Sequence, residues 1–151
     1  MSKIIALYKV MNRLYEKKVP VIPSLLQKSI RLLFSAEIPK SCKLGNNVQL
    51  KHGGLGVVIH HDSIIGENTV IYQQVTIAGE ELTDENRNKR RYPIIGKNCL
   101  IGTGAFIMGG ITIGDNVRIG AHAVVLSDIP SNTTAVGVPA YIISKDVNTD
   151  K

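Results

Sequence analysis

Among the residues of this 151-residue chain that could move a proton, the four histidines come first, and His52 is set apart by its surroundings. It sits in Lys51-His52-Gly53-Gly54-Leu55-Gly56, a glycine-rich insertion into an otherwise regular pattern. A neutral imidazole can take the proton of an attacking hydroxyl, chemistry that contributes roughly 10²–10⁴ in rate. His60 and His61 adjoin on what reads as a strand, which sends their rings to opposite faces, so they read as surface residues and no metal site is expected. His122 follows Gly120 in a turn. The second departure from the pattern is the charged loop from Gly79 to Pro93, whose residues 80–91 balance four acids against four bases. Function is commonly grafted where a regular scaffold is interrupted.

The scaffold that must position these residues is written in a period of six. Ile38, Leu44 and Leu50 are six apart, then Ile59, Ile65, Ile71 and Ile77, then Ile95, Ile101, Ile107, Ile113, Ile119 and Val125. Four residues after these stand small or β-branched side chains: Cys42, Val48, Ser63, Thr69, Val75, Cys99, Ala105, Ile111, Val117, Ala123 and Ile129. Six fits neither the 3.6 of a helix nor the alternation of a meander. It predicts short strands joined by turns, three per coil and about four coils, with one large and one small residue of each hexad pointing into a narrow prism. Gly45, Gly66, Gly96, Gly102, Gly114 and Gly120 follow the aliphatic positions, where the expectation is a turn with positive φ.

Residues 1–36 read as a helical cap: Ile4, Tyr8, Met11 and Tyr15 share one face, and Pro20 and Pro23 separate it from a second helix through Leu25, Leu26, Ile30 and Leu33. The β-helical domain is expected over 37–145, its pattern closing at Val136 to Ala140, with a frayed tail at 146–151. Cys42 and Cys99 are too few for a disulfide framework and read as reduced thiols of a cytoplasmic core. The net charge of +6 originates in residues 1–43, which hold nine Lys/Arg against Glu16 and Glu37, a leader suited to peripheral contact with a membrane surface. Without Trp and with few aromatics, nucleic acid is not an expected partner.

Leu50-Lys51-His52, Val57-Val58-Ile59, Tyr72 to Ile77, Arg91-Tyr92-Pro93, Ile101 to Ala105 and Gly137 to Ala140 occur together in this chain. Together these segments resemble the hexapeptide-repeat acetyltransferases, and most of all the catalytic part of serine acetyltransferases and short relatives from surface-polysaccharide clusters. The resemblance implies a left-handed parallel β-helix, a homotrimer with active sites between subunits, and acetyl-CoA as co-substrate. It places the general base on His52 and its carboxylate partner on Glu37. It assigns the pantetheine groove to Ala78, Gly79, Thr103 and Ala121, and the nucleotide end to Leu126, Ser127 and Lys145. Arg91 matches the arginine that holds the serine carboxylate. Lys51 stands where the family has Asp, and Tyr92 where it has a second histidine.

A cation in place of an anion would repel the ammonium of serine. With most of the family's N-terminal helical domain missing, the expected acceptor is therefore a sugar hydroxyl of a surface polysaccharide or its precursor. L-serine is the alternative, and a non-catalytic β-helix scaffold a third reading.

Overall fold

The computed structural model describes residues 2–85 and 87–145, with side chains through Ile143. The tail expected at 146–151 lies outside the described residues. Two helices, α1 (Lys3–Glu16) and α2 (Ile22–Phe34), lead into four coils. The first holds β1 (Lys43–Leu44), β2 (Gln49–Leu50) and β3 (Val58–Ile59); the second β4 (Ile64–Ile65), β5 (Val70–Ile71) and β6 (Thr76–Ala78). The third holds β7 (Ile94–Ile95), β8 (Leu100–Ile101) and β9 (Phe106–Met108); the fourth β10 (Thr112–Ile113), β11 (Arg118–Ile119) and β12 (Val124–Val125). Each strand pairs in parallel with its counterpart one coil away, so the column has a first side β1-β4-β7-β10, a second side β2-β5-β8-β11 and a third side β3-β6-β9-β12. Ile59 meets Ile77 and Ile65 meets Ile95 in register, so equivalent aliphatic positions stack along the axis.

Burial follows the six-residue pattern closely. Every aliphatic position from Ile38 to Val125 is buried except Leu44, which is partly covered, and all eleven of the smaller positions from Cys42 to Ile129 are buried. Thr69 is tolerated inside because its hydroxyl donates to the Gly96 carbonyl (3.0 Å) and accepts from Cys99 N–H (3.2 Å).

The glycines answer to a different cause from the one expected. None of the six has positive φ; that conformation falls two residues later, on Asn47, Asn68, Asn98 and Asn116, and on Gly104 and His122. The glycines are required by close approach of the coils: a Cβ on Gly66 would lie 2.5 Å from the carbonyl of Gly96, and one on Gly96 2.6 Å from that of Gly114. The asparagines form a ladder along the corner between first and second sides, Nδ2 of each donating to Oδ1 of the next at 3.2, 3.2, 3.2 and 2.9 Å up to Asn132. Asparagine suits this place because it accepts the left-handed backbone and its amide has both a donor and an acceptor. Gly66→Ala is expected to cost about 1–3 kcal/mol by overpacking between coils, read as a lower urea midpoint.

The helices cap the first coil as expected, through Ile4, Ile5, Tyr8 and Met11 of α1 and Pro23 and Ile30 of α2. Leu25 and Leu33, expected on the inner face of α2, are exposed instead, as is Tyr15. The helix turns Pro23, Leu26 and Ile30 inward, toward α1 and the first coil. At the other end the chain continues past the expected stop: β13 (Thr133–Val136) joins the second side beside β11, and β14 (Tyr141–Lys145) returns antiparallel on it.

Tyr8 ties helix to coil. Its hydroxyl donates to the Cys42 carbonyl (2.7 Å) and accepts from Leu44 N–H (3.2 Å). Both cysteines are buried and unpaired. Burial pushes the Cys42 thiol from 9.0 up to about 12, and burial together with the neighbouring Cys42 raises the Tyr8 phenol as well. Both groups hold their protons more tightly folded than unfolded, so the stability they contribute is complete below the unfolded thiol's value and declines as pH rises toward the folded ones. The unfolding free energy, read as the urea midpoint, should hold level to about pH 9 and then fall as the pH rises further. A midpoint that is level far into alkali would contradict this.

Candidate active site

His52 follows β2 at the corner between second and third sides, in a 3-10 turn over Lys51–Gly54. The backbone there is unusual: His52, Gly53, Gly54 and Gly56 all have positive φ (50°, 68°, 78° and 67°). Three glycines make that path accessible, and the reversal lifts the imidazole out of the prism into solvent. α1 braces the turn, since a Cβ on Gly54 would lie 3.0 Å from Ile4 Cδ1. The His52 ring stands 6.3 Å from that of Tyr72, at 48°. It borders a recess of about 720 Å³ lined by Lys9, Asn47, Gln49, Lys51 and Asn68. The Lys51 ammonium donates to Gln49 Oε1 of β2 at 2.9 Å.

Glu37 lies on the third side. Its backbone brackets β3, accepting from Ile59 N–H (3.0 Å) and donating to Val57 O (2.8 Å). Its carboxylate is 3.6 Å from Arg31 Nη1, and among the described residues it makes no bond to His52. The expected base–carboxylate pair is therefore not made in this conformation, in which Arg31 is the ionic partner of Glu37.

The remaining expected residues divide between two edges of the column. Thr103 and Ala121 follow β8 and β11, above His52 on the corner between second and third sides, with Thr103 Oγ1 3.4 Å from Gln73 Oε1 and Thr103 O accepting from His122 N–H at 2.8 Å. Ala78, Gly79, Leu126 and Ser127 end or follow β6 and β12, on the corner between third and first sides. The charged loop opens from this second corner, and its neck is closed by Glu80 N–H donating to Arg91 O (2.7 Å), with Arg91 Nη1 on Glu80 O (3.3 Å). Arg90 clamps the loop to the fourth coil through Gly110 O and Thr112 Oγ1, both at 2.8 Å. The backbone of Lys145 pairs with Thr133, while its side chain lies outside the described residues.

Sequence reasoning missed His60. Equivalent positions are eighteen residues apart, as Ile59 and Ile77 are, so His60 lies against Ala78 and Gly79. That spacing could have revealed it. Its ring packs on Gly79, where a Cβ would come within 2.6 Å of it, and stacks at 8° on Tyr92, 6.3 Å away. The rings of His60 and His61 are 4.0 Å apart rather than on opposite faces, because β3 ends at Ile59 and strand alternation does not extend into the turn. His61 Nε2 is 3.2 Å from Asp62 Oδ2, and His60 Nδ1 accepts from Asp62 N–H at 3.2 Å. Burial, then the neighbouring His61, holds His60 below the usual imidazole value, which favours its neutral form. The ligating atoms of His60, His61 and Asp62 lie within 4.8 Å of one another, a set that could approach a cation together among the described residues.

Residues 92–127 match the model of the bacterial transferase hexapeptide, six repeats. Over 136 residues the chain is 42% identical to a serine acetyltransferase of Synechococcus elongatus, covering 90% of this chain and 54% of the relative. It is 39% identical over 139 residues to a serine acetyltransferase of Helicobacter pylori, covering 92% of this chain and 78% of the relative. Among solved structures it superposes on Neisseria gonorrhoeae serine acetyltransferase with a TM-score of 0.87 and 32% identity, over 97% of this chain and 54% of that one. The complex of that enzyme with serine superposes with a TM-score of 0.84 and 33% identity, over 93% and 55%. The chain spans about half the length of most of these relatives.

Proposed function

The chain belongs to the serine acetyltransferase family of hexapeptide-repeat proteins, and from that premise we propose that it transfers the acetyl group of acetyl-CoA to the hydroxyl of L-serine. His52 takes the hydroxyl proton as the oxygen attacks the thioester carbonyl. The tetrahedral adduct then collapses, breaking the carbon–sulfur bond, and the imidazolium returns its proton to the departing thiolate. A backbone N–H of the groove meets the oxyanion, since the sequence supplies no dedicated side-chain donor. Arg91 supplies the positive charge for the acceptor carboxylate.

The observation that carries the acceptor assignment is the likeness to the Helicobacter serine acetyltransferase, which spans most of both chains. The sugar acceptor expected from Lys51 is set aside, because the relatives are serine acetyltransferases and no sugar acceptor is named among them. Thiol release from acetyl-CoA should depend on L-serine. Release with nucleotide-sugars and none with serine would reverse the choice of acceptor.

The division of the site between two corners supports a trimer in which the His52 corner of one protomer faces the Gly79–Arg91 corner of the next. On that reading His52→Asn and Arg91→Ala, each weakly active alone, complement when co-expressed, and the particle has about three times the 16.4 kDa chain mass. Mixed trimers no more active than their parents would show that one chain builds the whole site.

A further inference from the structure

We propose that the outer face of α2 docks on an anionic lipid surface. Along this helix and the residue before it, Val21, Ile22, Leu25, Leu32 and Leu33 point outward, with Val21 67%, Leu25 55%, Leu32 84% and Leu33 70% exposed. Their spacing of three, four and seven residues makes one stripe, the outward counterpart of the Pro23–Leu26–Ile30 stripe that faces the coil. Leucines this exposed, in a contiguous row, mark a contact surface rather than the scatter of apolar side chains on any protein.

Charge selects the occupant. α2 contains no Asp or Glu, and α1 only Glu16 at its last position. Lys17 and Lys18, both exposed, adjoin Val21 and Ile22 at the helical hairpin, and exposed Lys28 lies within the leucine stripe. Two copies meeting through this face would bring their lysines together, whereas lipid phosphates would neutralise them while the leucines enter the acyl boundary. No described helix is long and apolar enough to cross a membrane, so the contact is one that lies along the surface.

The backbone adds a further sign. Val21 has φ 64° and ψ −53°, a strained γ-turn closed by Ile22 N–H donating to Pro20 O (2.7 Å), and it holds that apolar side chain out at the end of the stripe. The same helical cap braces the turn that carries His52, which would bring the proposed site close to the bilayer.

The test is co-sedimentation of the full chain with vesicles of phosphatidylcholine alone and of phosphatidylcholine mixed with phosphatidylglycerol. Binding is expected to the mixed vesicles only and to weaken with salt. Leu25→Glu with Leu32→Glu should reduce it by about tenfold or more, and Lys28→Gln by about fivefold. Val21→Asn should weaken binding, because it removes the apolar side chain at the end of the stripe. These side chains lie outside the core and the catalytic machinery, so acetyl transfer without vesicles should be unchanged. Three outcomes overturn the proposal: no binding to mixed vesicles, binding indifferent to the leucine changes, or a leucine variant whose main effect is a smaller particle mass, which would assign the face to a second copy.

Discussion

His52→Asn is expected to lower the rate of acetyl transfer by about 10²–10⁴-fold while leaving the melting temperature and CoA affinity close to those of the parent chain. Asparagine is the cleaner substitution than alanine, since position 52 has φ 50° and ψ 37° and asparagine enters that region readily. The imidazole is exposed and makes no hydrogen bond among the described residues, so its removal leaves no buried partner unsatisfied. A structural role would therefore show little change in either quantity, whereas a base is lost from the rate alone. Steady-state thiol release at saturating acetyl-CoA and acceptor is the measurement, and a rate within threefold of the parent would exclude His52 as the base.

Ile113→Asp is expected to prevent folding altogether. Ile113 is fully buried on the first side, in register with Ile95 below and bridged to Ile129 above. Removing the side chain to alanine alone costs about 2–5 kcal/mol. Aspartate adds a carboxylate between Ile95 and Ile129 in a largely apolar interior, a further penalty of several kcal/mol unless it takes a proton. Together these match the roughly 5–15 kcal/mol by which domains are stable, and the coils above and below lose their neighbour at the same time. Ile113→Val, within about 0.5–1.5 kcal/mol of the parent, is the control. Circular dichroism of the purified variants distinguishes them; a folded Ile113→Asp chain with native mass would mean that the fourth coil is not held by its interior.

The amino-acid sequence by itself determined the architecture, the number of coils, the residues inside them and the singular place of His52. It could do so because inward and outward direction repeats every six residues, and hydropathy records that direction one residue at a time. Distances between coils leave no such record. Only the tertiary structure decided that the glycines after each aliphatic position serve the close passage of one coil over the next while positive φ falls to Asn47, Asn68, Asn98 and Asn116. It likewise decided that His60 packs on Gly79 and Tyr92, that Glu37 is engaged by Arg31, and that the expected site residues occupy two corners. In α2 both apolar stripes satisfy the helical period equally, and the choice of Ile30 over Leu33 for the interior depends on which face meets α1 and the first coil. Periodicity states that a side chain avoids water; a neighbour brought in by the folded chain decides which ones can.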